Sequence, residues 1–362
     1  MKKENRRLTR VLSIILVILF LGLIFVIGMM HYTVTSSFTR GDYPNYPVVN
    51  YRYEHYQSQY PREEITFLSG KNRLQGFLYG DKDAGRLLIF SHGLGSGHED
   101  YINEIIYMVN AGYRVFAYDG TGSGMSEGKS TVGLLQSALD LDAVFDYIHS
   151  SDTLKDLPVY LMGHSWGGFA VAEALGRHEN IVAAVSLAGY AYPTDLLIDQ
   201  GSQMMGRDLS GMNFFFNISH LLTYGPKNFM RNAVDSINST DTPILLVHGN
   251  LDEMIPLDKI SIIAYQDKLT NPNVRTLIIT TEGQNDHNGI LHSAEAVPHI
   301  AKLNEDFTAK MNTIQGLPEE ELEARAIEFR REMVEVADLP LINQVNVELF
   351  SQILAFFDGA SR

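Results

Sequence analysis

The pentapeptide Gly163-His164-Ser165-Trp166-Gly167 sets one serine between two glycines. The run before it, PVYLM, reads as a strand, and the run after it, GGFAVAEAL, as a helix. Where a strand turns straight into a helix, side chains two residues either side of the serine would collide, which is why glycine stands there. The hydroxyl is lifted clear at a helix N-terminus, whose free N–H groups favour developing negative charge. This is the chemistry of a serine that attacks a carbonyl. It needs a base for its proton, a residue that orients that base, and donors for the oxyanion.

Two histidines, His287 and His292, lie in TTEGQNDHNGILHS, after the apolar run VRTLIIT. His287 falls in the loop between strand and helix, whereas His292 falls inside the helix that GILHSAEAV begins. Loop position at the carboxyl edge of a sheet favours His287 as the base. His164 reads as a packing residue. Carboxylates available to orient the base are Asp252, its neighbour Glu253, and Asp119 at the end of FAYD. The chain has no cysteine and no H-E-x-x-H pattern, so it offers no disulfide, no thiol nucleophile and no recognisable metal set.

The elements that must position these residues follow from the hydropathy pattern. EEITFLSGKNRLQGFLYG reads as a hairpin around SGKN, followed by RLLIFSHG. Short apolar runs then alternate with helical patterns through YRVFAYD, PVYLMG, IVAAVSLAG, TPILLVHG and VRTLIIT. Apolar runs bounded by Gly and Pro and separated by helices predict a mostly parallel sheet covered on both faces, with an antiparallel start. Ligands of such sheets gather beyond the carboxyl ends of the strands.

On four stretches, SHGLGS, DGTGSGMSEG, GHSWGG and HGNLDEMIP, the chain resembles the α/β-hydrolase family. The likeness is strongest to its serine aminopeptidase-like and monoacylglycerol lipase-like branch, and it covers roughly residues 62 to 292 plus the last helix. The order Ser, acid, His is also the family's. The resemblance implies an α/β fold with a mostly parallel eight-stranded sheet, helices on both faces and a helical cap insertion. It assigns the orienting carboxylate to Asp252, gives Asp119 a structural role in the following glycine turn, and points to the backbone N–H groups of Leu94 and Trp166 as the oxyanion donors. It implies no cofactor.

The first ten residues carry Lys2, Lys3, Arg6, Arg7 and Arg10 against Glu4, and residues 11–30 carry no charge. Twenty apolar residues at about 1.5 Å each span a hydrocarbon core of roughly 30 Å. A cleaved signal has a shorter apolar stretch and a small-residue cleavage site, which IGMMHYTVTSS lacks. The reading is an uncleaved transmembrane signal-anchor with residues 1–10 cytoplasmic and the catalytic domain outside the cell membrane, as in a bacterial cell-surface protein. Residues 31–61 read as an irregular linker whose tyrosines pack on the folded body. Arg40-Gly41-Asp42 is a chance adhesion-like tripeptide, and the sequons at Asn217 and Asn238 carry no meaning in a bacterial chain. The net charge of −15 is more negative still without the basic leader, so no nucleic-acid partner is expected.

Within the hydrolase domain, residues 62–362, two regions exceed a minimal member. A cap insertion spans about 190–241 and holds Met204, Met205, Met212, Phe214, Phe215 and Phe216, which suit either an apolar pocket or the cap's own core. A helical insertion spans about 294–345, where Pro318 and Glu319 to Glu321 start a helix with Leu322, Ala326, Phe329 and Met333 on one face. Together these features predict a membrane-anchored, extracytoplasmic serine hydrolase that cleaves a small-molecule carboxylic ester or related acyl bond through an acyl-enzyme, with medium acyl chains preferred. The alternatives are a serine exopeptidase of the aminopeptidase kind, and a catalytically silent anchored binding protein on the same scaffold.

Overall fold

The computed structural model describes residues 2–360. By internal packing the chain forms two units, one comprising the residues up to Phe38 with Thr194–Met230, the other Thr39–Pro193 with the residues from Arg231 onward. The strands are β1 (Arg62–Ser69), β2 (Asn72–Tyr79), β3 (Leu87–Ser91), β4 (Arg114–Asp119), β5 (Val159–His164), β6 (Ile181–Leu187), β7 (Ile244–Gly249) and β8 (Val274–Ile279). The helices are α1 (Lys2–Ser36), α2 (Tyr53–Tyr56), α3 (Ile102–Asn110), α4 (Gln136–Ser150), α5 (Trp166–Ala174), α6 (Pro193–Met205), α7 (Asn213–Asn228), α8 (Ala233–Asn238), α9 (Ala296–Asn312), α10 (Glu319–Val336), α11 (Leu339–Ile342) and α12 (Val347–Ala360).

All eight strands belong to one sheet in the order β1-β2-β4-β3-β5-β6-β7-β8. The hairpin β1–β2 turns at Gly70-Lys71, where Gly70 takes φ 56° at no steric cost. β2 runs antiparallel to β4, and from β4 to β8 every pairing is parallel. The order reverses around β3, so the carboxyl ends of β3, β4 and β5 meet at a switch point. Those strands are buried along their whole length, as their unbroken apolar runs require. Leu88 and Phe90 face a core shared with Ile102 and Ile105 of α3 and Phe350, Ile353 and Phe357 of α12. The alternate residues Leu87 and Ile89 are equally buried on the opposite face, where α4 and α5 pack on each other and on the strands. Every residue of α5 is buried, and all but Glu173, which pairs with Arg231, are apolar or glycine, as a helix covered on every side requires.

The segment expected as an irregular linker has fixed structure in its second half. Tyr51, Tyr53, Tyr56 and Tyr60 pack against the core, and Tyr53 to Tyr56 form α2. In the helical insertion, α9 and α10 pack together, and the four residues anticipated on one face of α10 are among its covered positions, Phe329 most of all, with Ile327, Arg330, Glu332 and Val334 partly covered as well. The chain leaves for and returns from the cap at one place, because Ala233 N–H donates to the Ala191 carbonyl at 3.0 Å. Beside that junction the buried Arg231 guanidinium pairs with Asp142 at 2.6 Å and with the buried Glu173.

In the smaller unit, α1 runs to Ser36, beyond the anticipated end at residue 30. Its stretch Thr9–Ser36 is 28 residues long and apolar enough to cross a membrane, with its side chains uncovered over the most apolar window. At about 1.5 Å per residue this exceeds a hydrocarbon core of roughly 30 Å. Toward its end, Ile27, Met30, His31, Val34 and Thr35 are half-buried at helical spacing, and α1 packs on α7. His31 Nδ1 lies 3.1 Å from Ser219 Oγ across that seam. Gly225 breaks α7 with φ 72° just before Pro226.

Candidate active site

Ser165 sits between β5 and α5 at φ 56° and ψ −113°, a backbone strain of order 1 to 3 kcal/mol for a non-glycine residue. The neighbours hold it there. Ser165 N–H donates to the Leu187 carbonyl at 2.8 Å, and the Ser165 carbonyl accepts from Phe169 N–H at 3.0 Å. A Cβ on Gly163 would strike the Gly167 main chain, and one on Gly167 would strike the Ser91 and His92 carbonyls. The two glycines of the pentapeptide are therefore required by the close crossing of three backbone segments.

Asp252 and His287 are brought together. Their loops, after β7 and β8, are joined by Leu251 N–H to the Asn285 carbonyl at 2.8 Å and by Asn285 Nδ2 to Asn250 Oδ1 at 2.8 Å. His287 Nδ1 then lies 2.7 Å from Asp252 Oδ2. Asp252 Oδ1 accepts from Met254 N–H at 2.9 Å and Ile255 N–H at 2.8 Å, and His248 Nε2 approaches Oδ2 at 3.1 Å. Burial alone would push this carboxyl up. Hydrogen bonds from His248 and His287, the charge interaction with His287 and the Ile255 N–H outweigh it and hold Asp252 well below the usual carboxylate range. It is the ionised partner that an imidazole base requires.

Among the described residues no hydrogen bond joins these loops to Ser165 Oγ directly. They reach its neighbour: His164 Nε2 lies 2.8 Å from the His287 carbonyl, and the two imidazole rings are 4.8 Å apart. His164 Nδ1 lies 2.9 Å from Tyr101 OH, which accepts from Gly93 N–H at 3.1 Å. Desolvation, reinforced by His287, pushes the His164 ring down to about 3, so it is a neutral strut with one donor and one acceptor nitrogen. The residue read from sequence as packing thus ties the serine turn to the base loop and, through Tyr101, to the loop after β3.

That loop carries Leu94, whose N–H is the anticipated oxyanion donor. A Cβ on Gly93 would lie 3.7 Å from Ser165 Cβ, so the backbone before Leu94 runs alongside the serine. Leu94 itself is 40% exposed. Trp166 is buried, with Nε1 donating to the Leu134 carbonyl at 2.9 Å, and its N–H is the first of α5 and has no acceptor within the helix. The rival residues lie elsewhere. Glu253 is exposed. His292 follows a single turn, Gly289–Leu291, and forms an isolated bridge to Val345 instead of lying in a helix, because α9 begins only at Ala296. Asp119 is wholly buried, accepting from His98 N–H and Met125 N–H, each at 2.8 Å, in the turn after β4. Among the described residues no group of three His, Asp or Glu is placed to hold a metal.

Sequence reasoning missed His164, Tyr101 and His248. The variable position of a G-x-S-x-G motif filled by a residue with two hydrogen-bonding nitrogens was the available signal for the first. His248 opens the HGNLDEMIP stretch, four residues before Asp252, and that spacing was its signal; nothing in the local sequence marks Tyr101.

Residues 82–210 match the family model described as serine aminopeptidase, S33. A caffeoylshikimate esterase from Arabidopsis thaliana is 34% identical over 121 residues, which cover 32% of this chain and only 36% of that protein. A non-heme chloroperoxidase, CPO-A1, from Kitasatospora aureofaciens is 33% identical over 225 residues, covering 50% of this chain and 79% of that one. Among solved structures, an esterase from Pyrococcus furiosus shares the fold with a TM-score of 0.52 at 20% identity, over 81% of this chain and 98% of its own. The sheet order and the serine turn at the end of β5 define a hydrolase scaffold. The chain belongs to the α/β-hydrolase family.

Proposed function

We propose that this protein is a membrane-anchored serine hydrolase that cleaves a carboxylic ester through an acyl-enzyme. The observation that carries the reading is the 2.7 Å contact between His287 Nδ1 and Asp252 Oδ2, in a loop bonded through His164 to the strained serine turn. Ser165 Oγ attacks the carbonyl carbon while His287 Nε2 takes its proton. The oxyanion forms against the N–H groups of Leu94 and Trp166. Collapse breaks the bond to the alcohol, which leaves with the proton from His287. Water, deprotonated by the same nitrogen, then cleaves the acyl-serine. Asp252 holds the ring in the tautomer this requires. Esterases among the relatives support an ester substrate, and the match to the serine aminopeptidase model supports an amide as the second reading.

A fluorophosphonate probe and nitrophenyl esters of two to twelve carbons test the reading on the detergent-solubilised chain. The wild type is expected to be labelled, and Ser165→Ala to lose both labelling and turnover while keeping its fold. His287→Ala and Asp252→Asn are expected to lower kcat by about a thousandfold or more, the histidine change costing more. Equal loss on His292→Ala, or labelling that persists in Ser165→Ala, would overturn the assignment. Faster cleavage of aminoacyl anilides than of every ester would replace the ester with the amide, and an unlabelled wild type would leave the binding-protein alternative.

A further inference from the structure

The segment that leads from the anchor helix into the larger unit does more than connect. We infer that residues 40–43 form a clasp that positions the oxyanion loop, with Tyr43 as its positioning residue. The inference rests on the serine-hydrolase reading of the site.

The loop needs support from outside. In Gly93-Leu94-Gly95-Ser96-Gly97 three of five residues are glycine, and Gly95 lies at φ 77°, so the local chain has little stiffness of its own. One side is held by Tyr101 OH at Gly93 N–H. The other side is held by the clasp. A Cβ on Gly41 would come within 3.0 Å of the Gly95 carbonyl carbon, so the two main chains run in contact. Gly41 N–H donates to the Gly122 carbonyl at 2.9 Å, and the Gly41 carbonyl accepts from Gly124 N–H at 2.7 Å. Arg40 fixes the register, its guanidinium donating to the carbonyls of Gly124, Ser126 and Gly128 at 2.6 to 2.9 Å.

Tyr43 then joins clasp, loop and sheet. Its hydroxyl donates to Asp119 Oδ1 at 2.8 Å, accepts from Glu99 N–H at 3.2 Å, and fills the space that a side chain on Gly97 would need. Asp119 Oδ1 also accepts from His98 N–H, so one carboxylate oxygen at the end of β4 fixes both the exit of the loop and the tyrosine beside it. Burial, and next the Asp119 charge, push the phenol well above its ordinary value, keeping it a donor.

A loop displaced by about 1 Å leaves ground-state binding intact and weakens stabilisation of the tetrahedral intermediate, a loss of about ten- to a hundredfold. In the full-length solubilised enzyme, Tyr43→Phe and Gly41→Val are expected to lower kcat by that factor with KM within about threefold. Affinity for a trifluoromethyl ketone, which forms the tetrahedral adduct on the serine, should fall in step with kcat/KM. Tyr60→Phe, which alters the same segment at its bond to Asn110, should change neither. Rates are taken per active site titrated by the nitrophenol burst, so partial misfolding does not mimic the effect. Wild-type kcat in Tyr43→Phe, or a KM rise with unchanged ketone affinity, would overturn the clasp while the labelled wild type leaves the catalytic reading standing. Activity that survives Ser165→Ala would overturn both.

Discussion

At the scale of single residues, the site is organised by groups that stay neutral as much as by the one that stays charged. Asp252 is kept ionised by donors that converge on it, whereas His164, in the same neighbourhood, is kept uncharged by desolvation. A second buried carboxyl, Glu104 on α3, has the opposite fate to Asp252. One of its oxygens has no hydrogen-bond partner, and burial pushes it up from 4.5 to about 7. The folded protein therefore holds a proton there that the unfolded chain releases. The stability this contributes is fully present below about pH 4.5 and is lost as pH rises through 7. Glu104→Gln should remove the dependence, gaining on the wild type by up to about 3 kcal/mol above pH 7. Thermal melts of both proteins at pH 5 to 8 measure it, and parallel curves would count against a neutral buried Glu104.

At the scale of elements, legibility followed the range of the interaction. The strand, tight turn and helix around Ser165 were readable because their cause is local: Gly163 and Gly167 are the residues that the crossing backbones permit. The eight strands were readable because each carries its apolar run in sequence. His287 was chosen over His292 by position relative to the last strand, and the structure places it against Asp252, whereas the helix expected to begin at Gly289 starts about two turns later, at Ala296, after a short tight turn. What could not be read joins residues far apart in the chain. The strut from Gly93 through Tyr101 and His164 to His287 spans nearly two hundred positions, and no periodicity encodes it. The linker hid its structure for a related reason. Its hydrogen bonds run through main-chain groups, the Arg40 guanidinium and tyrosine hydroxyls, which leave no hydropathy signature.

At the scale of the whole molecule, α1 is long and apolar enough to cross a membrane, and the basic leader before it predicts an N-terminus inside the cell and a body outside it. External protease added to intact cells is expected to digest the body, and protection until lysis would refute that orientation. A different consequence follows from the junction at Ala191 and Ala233. Because these two residues are already hydrogen-bonded, replacing Thr194–Met230 by a few Gly and Ser residues asks the sheet to close no new distance, and shortening a loop whose ends are fixed reduces its closure entropy. The Arg231 pairs with Asp142 and Glu173 remain on the retained side. Such a shortened chain should keep a cooperative melt within a few degrees of the parent, and loss of cooperative unfolding would show the junction is not self-sufficient. In evolutionary terms the scaffold then has an open socket: segments of different length and composition can be exchanged between Ala191 and Ala233 while the sheet and the loops at its carboxyl edge stay constant.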